Sequence, residues 1–284
     1  MQLKSSLLFK VLLNHFHPGT GESFLKNLPP NEPKEILKQP TTSVETAAAL
    51  SWPQELIKRI HYSWLAPIIQ QFPLLVQTSI VGSLTDYQSS GLKKLLKINT
   101  FPAELSPPIK TFLLFYLFQK WQPTEAIPIQ YLPPSPLTPL LDLSKNELVE
   151  IIDFLAIYDL AESIRHIVDK TNLKAIYLCL SRQQQQFLRL CLHKHEKIAA
   201  PKLEIEKCRD PETLKTILHR RGLARLGKAL CGQSPRFVWH IIHTLDTGRG
   251  GAITQYYQQE EIPRITSLLA QQVLSVINFL KNKS

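Results

Sequence analysis

The sequence contains no apolar run long enough to cross a bilayer. Its longest, Phe112 to Phe118, has seven residues against the roughly 20 a spanning helix needs, so it reads as a segment of a buried helix. It also contains no alternating apolar and polar run closed by Asn-Gly or Asp-Gly, which argues against hairpins and a β fold. The four cysteines, Cys179, Cys191, Cys208 and Cys231, lie 12, 17 and 23 residues apart with no C-x-x-C pair. That spacing gives neither a zinc pattern nor a disulfide framework, and reduced, mostly buried thiols are expected. Between Lys4 and Lys10 only five residues intervene, too short a core for a secretion signal. A cytoplasmic protein is expected.

What is present suits a globular chain. Of the 284 residues 44% are hydrophobic and 20% charged, and that length allows two domains. Lys and Arg total 33 against 23 Asp and Glu, a formal +10, which favours an acidic protein, anionic lipid or nucleic acid without choosing among them.

Helix-start signals recur along the chain. Ser51 with Gln54 reads as a capping box ahead of Leu56, Ile57 and Ile60. Ser63 is expected to cap a helix bearing Trp64, Leu65, Ile68 and Ile69, Pro73 to open one reaching Leu84, and Asp86 to cap one through Leu92, Leu95 and Leu96. Ser144 with Glu147 forms another capping box, followed by Leu148, Ile151, Ile152 and Leu155 at the spacing of one buried helix face. That spacing recurs in Leu160, Ile164 and Ile167, in Leu214, Ile217 and Leu218 behind Asp210-Pro211, and from Ile265 to Leu280 behind Pro263. The fold predicted is all-α, with short helices stacked as in armadillo or HEAT proteins.

Two breaker-rich stretches divide it. Residues 18–48 hold Pro18, Pro29, Pro30, Pro33 and Pro40 with Gly19 and Gly21, and read as a loose linker after the N-terminal segment. Residues 122–140 hold Pro123, Pro128, Pro133, Pro134, Pro136 and Pro139, and read as a stiff connector. The expected organisation is an arm and linker at 1–48, a helical body at 49–121, the connector at 122–140, and a second body at 141–284. In the arm, Leu3, Leu7, Val11 and Phe16 suit either an anionic membrane surface or a partner helix.

No catalytic constellation emerges. Thr247-Gly248-Arg249-Gly250-Gly251 superficially resembles a phosphate loop, but no strand precedes it and no Lys-Ser/Thr closes it, so a tight interhelical turn is expected. Cys191, His193 and His195 alternate, and His240 and His243 form an i, i+3 pair. Neither set has a recognised metal spacing, and both read as helix positions without a metal or cofactor. Asp153, Asp159 and Glu162 read as solvated helix positions.

The basic cluster His219, Arg220, Arg221, Arg225 and Lys228 is more informative. Arg221, Arg225 and Lys228 fall on one helix face, with Leu223, Leu226 and Leu230 on another. Such a face is either merely solvated or meets an acidic protein surface. Nucleic acid is the weaker alternative, because no aromatic stacking platform accompanies the arginines.

From Asp210 to Leu280 the sequence resembles the C-terminal domain of the flagellar motor switch protein FliG family. Ile217, Leu218, Leu223, Leu226, Ala229, Leu230 and Gly232 fall where that family has a leucine-rich helix ending in Ala-Leu-Lys-Gly. Arg249 falls at its Ser-x-Arg turn, and Pro263 opens a last helix containing Ala270-Gln271. Upstream, Leu160 to Arg165 resembles the element before that domain, and His61 to Ile68 is faintly similar to its middle-domain His-Pro-Gln region. The family meets its stator through facing charges. Here Arg249 and Arg264 stand at two basic positions, while Tyr256 and Tyr257 stand near the acidic pair and Cys231 replaces the motif's lysine. A FliG-like scaffold without motor chemistry is thereby implied, comparable to the SctK accessory proteins of type III secretion. The expected role is a non-enzymatic adaptor at the cytoplasmic face of the inner membrane, joining a membrane ring to a cytosolic sorting platform. A true flagellar switch component and a basic nucleic-acid-binding protein are the alternatives. Arg221, Arg225 and Lys228 are the expected face for an acidic partner, and Arg249, Tyr256, Tyr257 and Arg264 the counterpart of the stator-facing surface.

Overall fold

The structure, a computed structural model, describes residues 9–10, 13, 17, 21–38, 44–98, 104–121, 123–165, 170–193 and 211–282. Leu3, Leu7, Val11, Phe16, Ile167, His195, Cys208 and Asp210 lie outside them. Among the described residues every regular element is helical, with fourteen α-helices and two short 3-10 turns, in agreement with the all-α expectation. No described helix is long and apolar enough to cross a membrane. The chain divides into two compact units, 1–124 and 125–284.

The first unit begins earlier than the breakers suggest. Helices α1 (Gly21–Leu25) and α2 (Glu32–Lys38) lie inside the stretch expected to be a linker. Leu13, Leu25 and Ile36 form a small core there, flanked by Phe9 and Leu28. Pro29 and Pro30 fall between these helices and Pro33 in the first turn of α2, where a missing N–H costs no helical bond. Helix α3 (Val44–Arg59) then runs through Ser51, Gln54 and Pro53. Ser51 therefore lies within the helix and not at its start, a correction to the expected cap.

Helices α4 (Tyr62–Ile69), α5 (Leu74–Ser83), α6 (Asp86–Leu96) and α7 (Pro107–Trp121) complete this unit. Two caps sit one or two residues before those expected. His61 Nδ1 accepts the Ser63 N–H at 3.2 Å in place of a Ser63 cap, and Thr85 with Gln88 forms the capping box that starts α6. Gln88 is buried, and its amide donates to the carbonyls of Ile57 and Ile60, both at 2.7 Å. One side chain thus closes the start of α6 and satisfies carbonyls at the end of α3. Helices α3, α4 and α5 pack against α7, whose Leu113, Leu114 and Leu117 supply the buried side.

In the second unit the proline-rich stretch is not a free connector. Residues 125–140 belong to this unit, with 3-10 turns at Ile129–Tyr131 and Thr138–Asp142. Leu137, Leu140 and Leu141 between the prolines are buried, and Ser135 Oγ donates to Gln233 Oε1 at 2.6 Å. The apolar residues spaced among the prolines anchor the segment, which proline counting alone does not register.

Helix α8 (Lys145–Ile164) starts at the expected Ser144–Glu147 capping box and buries Leu148, Ile151, Ile152 and Leu155. The Ser144 hydroxyl and backbone hold the Glu147 carboxyl below its ordinary range. Around α8 lie α9 (Lys170–Cys179), α10 (Arg182–His193), α11 (Pro211–Ala229), α12 (Pro235–Thr244), α13 (Thr247–Tyr256) and α14 (Ile265–Lys281). Helices α10, α11 and α14 pack directly on α8, and α11 also packs on α13 and α14. Gly222 permits the α8–α11 crossing, since a Cβ there would lie 1.8 Å from the Ile152 carbonyl oxygen. Phe154, Phe187 and Phe279 join α8, α10 and α14 through ring contacts of 4.8 to 5.8 Å.

Candidate partner-binding surfaces

Arg225 does not belong to an exposed basic face. It is buried on α11 with Asp159 of α8, at 2.6 Å, and with Gln272 of α14, at 2.5 Å. Tyr158 adds a ring face 5.6 Å away. Asp159, expected to be solvated, is equally buried. A charge leaves water only when a partner neutralises it, and here each charge supplies the other's partner across three helices. Among the described residues the Arg225 Nε atom finds no hydrogen-bond partner. Arg221 is half-buried and Lys228 exposed, so the three basic residues share a helix but not a surface.

Arg249 belongs to a separate chain of polar contacts. The glycine-rich segment around it is the first half of α13, not a turn, and Asp246 caps it by accepting the Arg249 N–H at 3.1 Å. Asp246 Oδ2 also pairs with Arg249 Nη1 at 2.5 Å, with Lys145 of α8 3.9 Å away. Burial pushes the Asp246 carboxyl up, but the Arg249 side-chain and backbone bonds outweigh it and hold it below its ordinary range. Arg249 Nε donates to His219 Nε2 at 2.9 Å, and His219 Nδ1 meets Asp153 Oδ1 at 2.6 Å. The imidazole therefore accepts on one side and donates on the other, which is the Nδ1–H tautomer.

This chain borders a cleft of about 460 Å³ where α8 to α11 and α13 meet. Its floor includes Leu180, Leu214 and Leu218, and its rim carries Lys215, Arg220 and Arg249 beside Asp153. Lys215 pairs with Glu212 at 2.8 Å, and Arg220 is exposed. Of the rim cations, Lys215 and Arg249 are each matched by an acid, Glu212 and Asp246.

The remaining expected site residues gather at the far end of α11. Thr266 Oγ1 donates to the Lys228 carbonyl at 3.4 Å, and the N–H of Gly232, at φ +75°, donates to the Gln258 carbonyl at 3.1 Å. Tyr256 packs over Gly227 and remains 40% exposed. Tyr257 is half-buried and donates its hydroxyl to the Gln233 carbonyl at 2.8 Å, so it is a structural tyrosine rather than an exposed contact. Burial raises its phenol, as do Cys231 and Glu125. Arg264 is exposed at φ +64°, just before α14. Cys231 is fully buried, its thiol donating to the Tyr256 and Gly227 carbonyls.

His240 and His243 share α12 without forming a metal pair. His240 Nε2 contacts the Ile127 carbonyl at 2.9 Å, and the His243 ring stacks on Trp239 with centroids 4.0 Å apart. Burial pushes His243 down to about 4. Among the described residues no three His, Cys, Asp or Glu side chains are grouped to hold a metal ion.

The residues that sequence reasoning missed are on α7. Phe112 and Phe115, expected inside a buried helix, are exposed together with Ile109. The signal was the apolar character of the helix all round, which fits either full burial or an uncovered interface.

Comparisons with protein-family models, curated proteins and solved structures find no match to this chain.

Proposed function

We propose that the protein is a non-enzymatic adaptor of a type III secretion apparatus, working at the cytoplasmic face of the inner membrane between the membrane ring and the sorting platform. In this reading the second unit is a FliG-like scaffold within a stack of armadillo or HEAT type. One observation carries it: five of the seven residues that resemble the family's leucine-rich helix and its closing glycine build this unit's core. Leu218, Leu223, Leu226, Ala229 and Leu230 are buried, Gly232 adopts the left-handed conformation after the helix, and Pro263 precedes the last helix.

The charged positions support an adaptor over a motor part. Arg249 is tied to Asp246 and His219, and tyrosines occupy the neighbourhood of the family's acidic pair. Torque transfer needs facing charges, which such a surface supplies poorly. Affinity purification of the tagged full chain from its own cells, in gentle salt, tests the assignment. Recovery of ring, sorting-platform or secretion ATPase proteins is expected. Loss of motility on deletion, with stator proteins recovered, overturns it in favour of a flagellar switch. Recovery only of nuclease-sensitive nucleoid or ribosomal material overturns it in favour of nucleic-acid binding.

A further inference from the structure

We propose that the outer face of α7 in the first unit, with the corner at Leu74 and Leu75, is a docking site for one amphipathic helix of a partner protein. That helix carries large apolar residues at i, i+3/i+4 and i+7 and acidic residues beside them. The site stands on the first unit alone and does not depend on which assembly the protein serves.

Helix α7 is apolar on two opposite sides. Leu113, Leu114 and Leu117 face the core, while Ile109, Phe112 and Phe115 are 48, 63 and 43% exposed. At 100° per residue these three, with Tyr116 and Gln119, form one continuous outward stripe. Phe112 stacks on Tyr116 at 6.1 Å, and Tyr116 meets Phe72 at 5.5 Å. Phe72 leads into α5, which packs on α7 and exposes Leu74 and Leu75 by 62 and 73%. The stripe thereby meets Phe72, two residues before the exposed Leu74 at the start of α5.

Area and charge together select the occupant. At roughly 200 Å² for each fully exposed large side chain, the five exposed residues offer roughly 600 Å². That is at the top of the range for the largest apolar patch on a monomer and short of the about 800 Å² per partner of a standard stable interface. A single helix fits this area better than a second copy of the chain. Helix α5 has no charged residue, and α7 has Lys110 and Lys120 but no acid. Lys120 is exposed, with its ammonium 5.6 Å from the centre of the Tyr116 ring at the end of the stripe. A hollow of about 600 Å³ beside it is lined by Tyr116, Gln119, Lys120 and Pro123. An apolar stripe ending in an unopposed cation favours an apolar helix with acidic flanks.

The test uses the full chain and fluorescein-labelled synthetic helices of about 18 residues, long enough to hold helix when bound. One peptide has leucines on one face and glutamates beside them, a second replaces the glutamates by lysines, and a third is a scramble. Saturable binding of the glutamate peptide is expected, with the scramble and the lysine peptide about tenfold weaker or worse. Phe112→Asp, checked for intact helicity by circular dichroism, is expected to weaken binding at least about tenfold. Lys120→Glu is expected to remove the preference for glutamate. A photo-crosslinker at Phe112 should join the chain to the glutamate peptide. Cross-linking to residues of the same chain or to a second copy, with peptide unable to compete, overturns the proposal. So do glutamate-peptide binding that Phe112→Asp leaves unchanged, and retention on phosphatidylglycerol vesicles without peptide binding.

Discussion

Both units expose some large apolar side chains, but they differ in where their charges go and in whether those side chains line up along one helix. The second draws an arginine and an aspartate into its interior, where Arg225 and Asp159 are 8 and 5% exposed. The first leaves Phe112 and Leu75 facing water while its lysines stay outside. A buried ion pair seldom adds stability over apolar residues of the same shape, but it penalises any arrangement that separates the partners. The second unit therefore holds α8, α11 and α14 in one specified register. An exposed apolar stripe adds nothing to the fold that bears it and acts only when something covers it. One unit is thus specified from within, and the other leaves an apolar surface uncovered.

The largest effect is expected from splitting the buried pair. Arg225→Met strands Asp159 in the core and should cost about 3–5 kcal/mol. Adding Asp159→Leu removes the stranded charge and should recover most of that loss, measured by urea unfolding of the second unit's transition. A single mutant as stable as the parent would mean that water reaches Asp159 and that the pair does not specify register. In the first unit the matching break is Leu117→Ala. Leu117 is fully buried on the inner side of α7, and its loss should cost about 2–5 kcal/mol, depending on how far α3, α4 and α5 close the cavity.

These examples also mark what was legible in the sequence. The Ser144–Glu147 box and the buried Leu148, Ile151, Ile152 and Leu155 were readable because cap and stripe are local, set by spacings within one helix. The Arg225–Asp159 pair was not, because its partners lie 66 residues apart and solvated and buried charges look alike in sequence. Among local signals, ambiguity came from neighbours of similar chemistry. Asp86 was the expected cap, but Thr85 has the glutamine three residues on that closes a capping box. Phe112 failed for a third reason, since a run that is apolar all round does not say which side the rest of the fold will cover.

Acid should weaken the second unit in a definite window. His243 titrates at about 4 in the folded chain against an ordinary 6.5, chiefly through burial. Between those values the unfolded chain binds a proton that the folded one does not, so stability falls as pH drops from 6.5 to 4 and this contribution levels off below. The full shift corresponds to at most about 3–4 kcal/mol. Glu147 and Asp246, both held below their ordinary values of 4.5 and 3.8, add their own losses mainly at the acid end. Urea midpoints between pH 6.5 and 5 therefore read the histidine with little contribution from these carboxylates. His243→Gln should flatten that limb, and a variant with the parent's slope would assign the acid sensitivity elsewhere.

The smallest effect on stability is the one that most sharpens the contrast. Phe112 lies five residues before Leu117 on α7, but 63% exposed against fully buried. Exposed substitutions away from caps and pair networks usually move stability by no more than about 0.5 kcal/mol, so Phe112→Asp should leave the unfolding midpoint near that of the parent. The phenylalanine would then contribute little to the isolated fold, as expected if its apolar surface is kept for a partner. A loss approaching that of Leu117→Ala would instead show that the ring is covered in solution by the chain itself. The outer side of α7 would then be part of the core, and the first unit would be specified from within like the second.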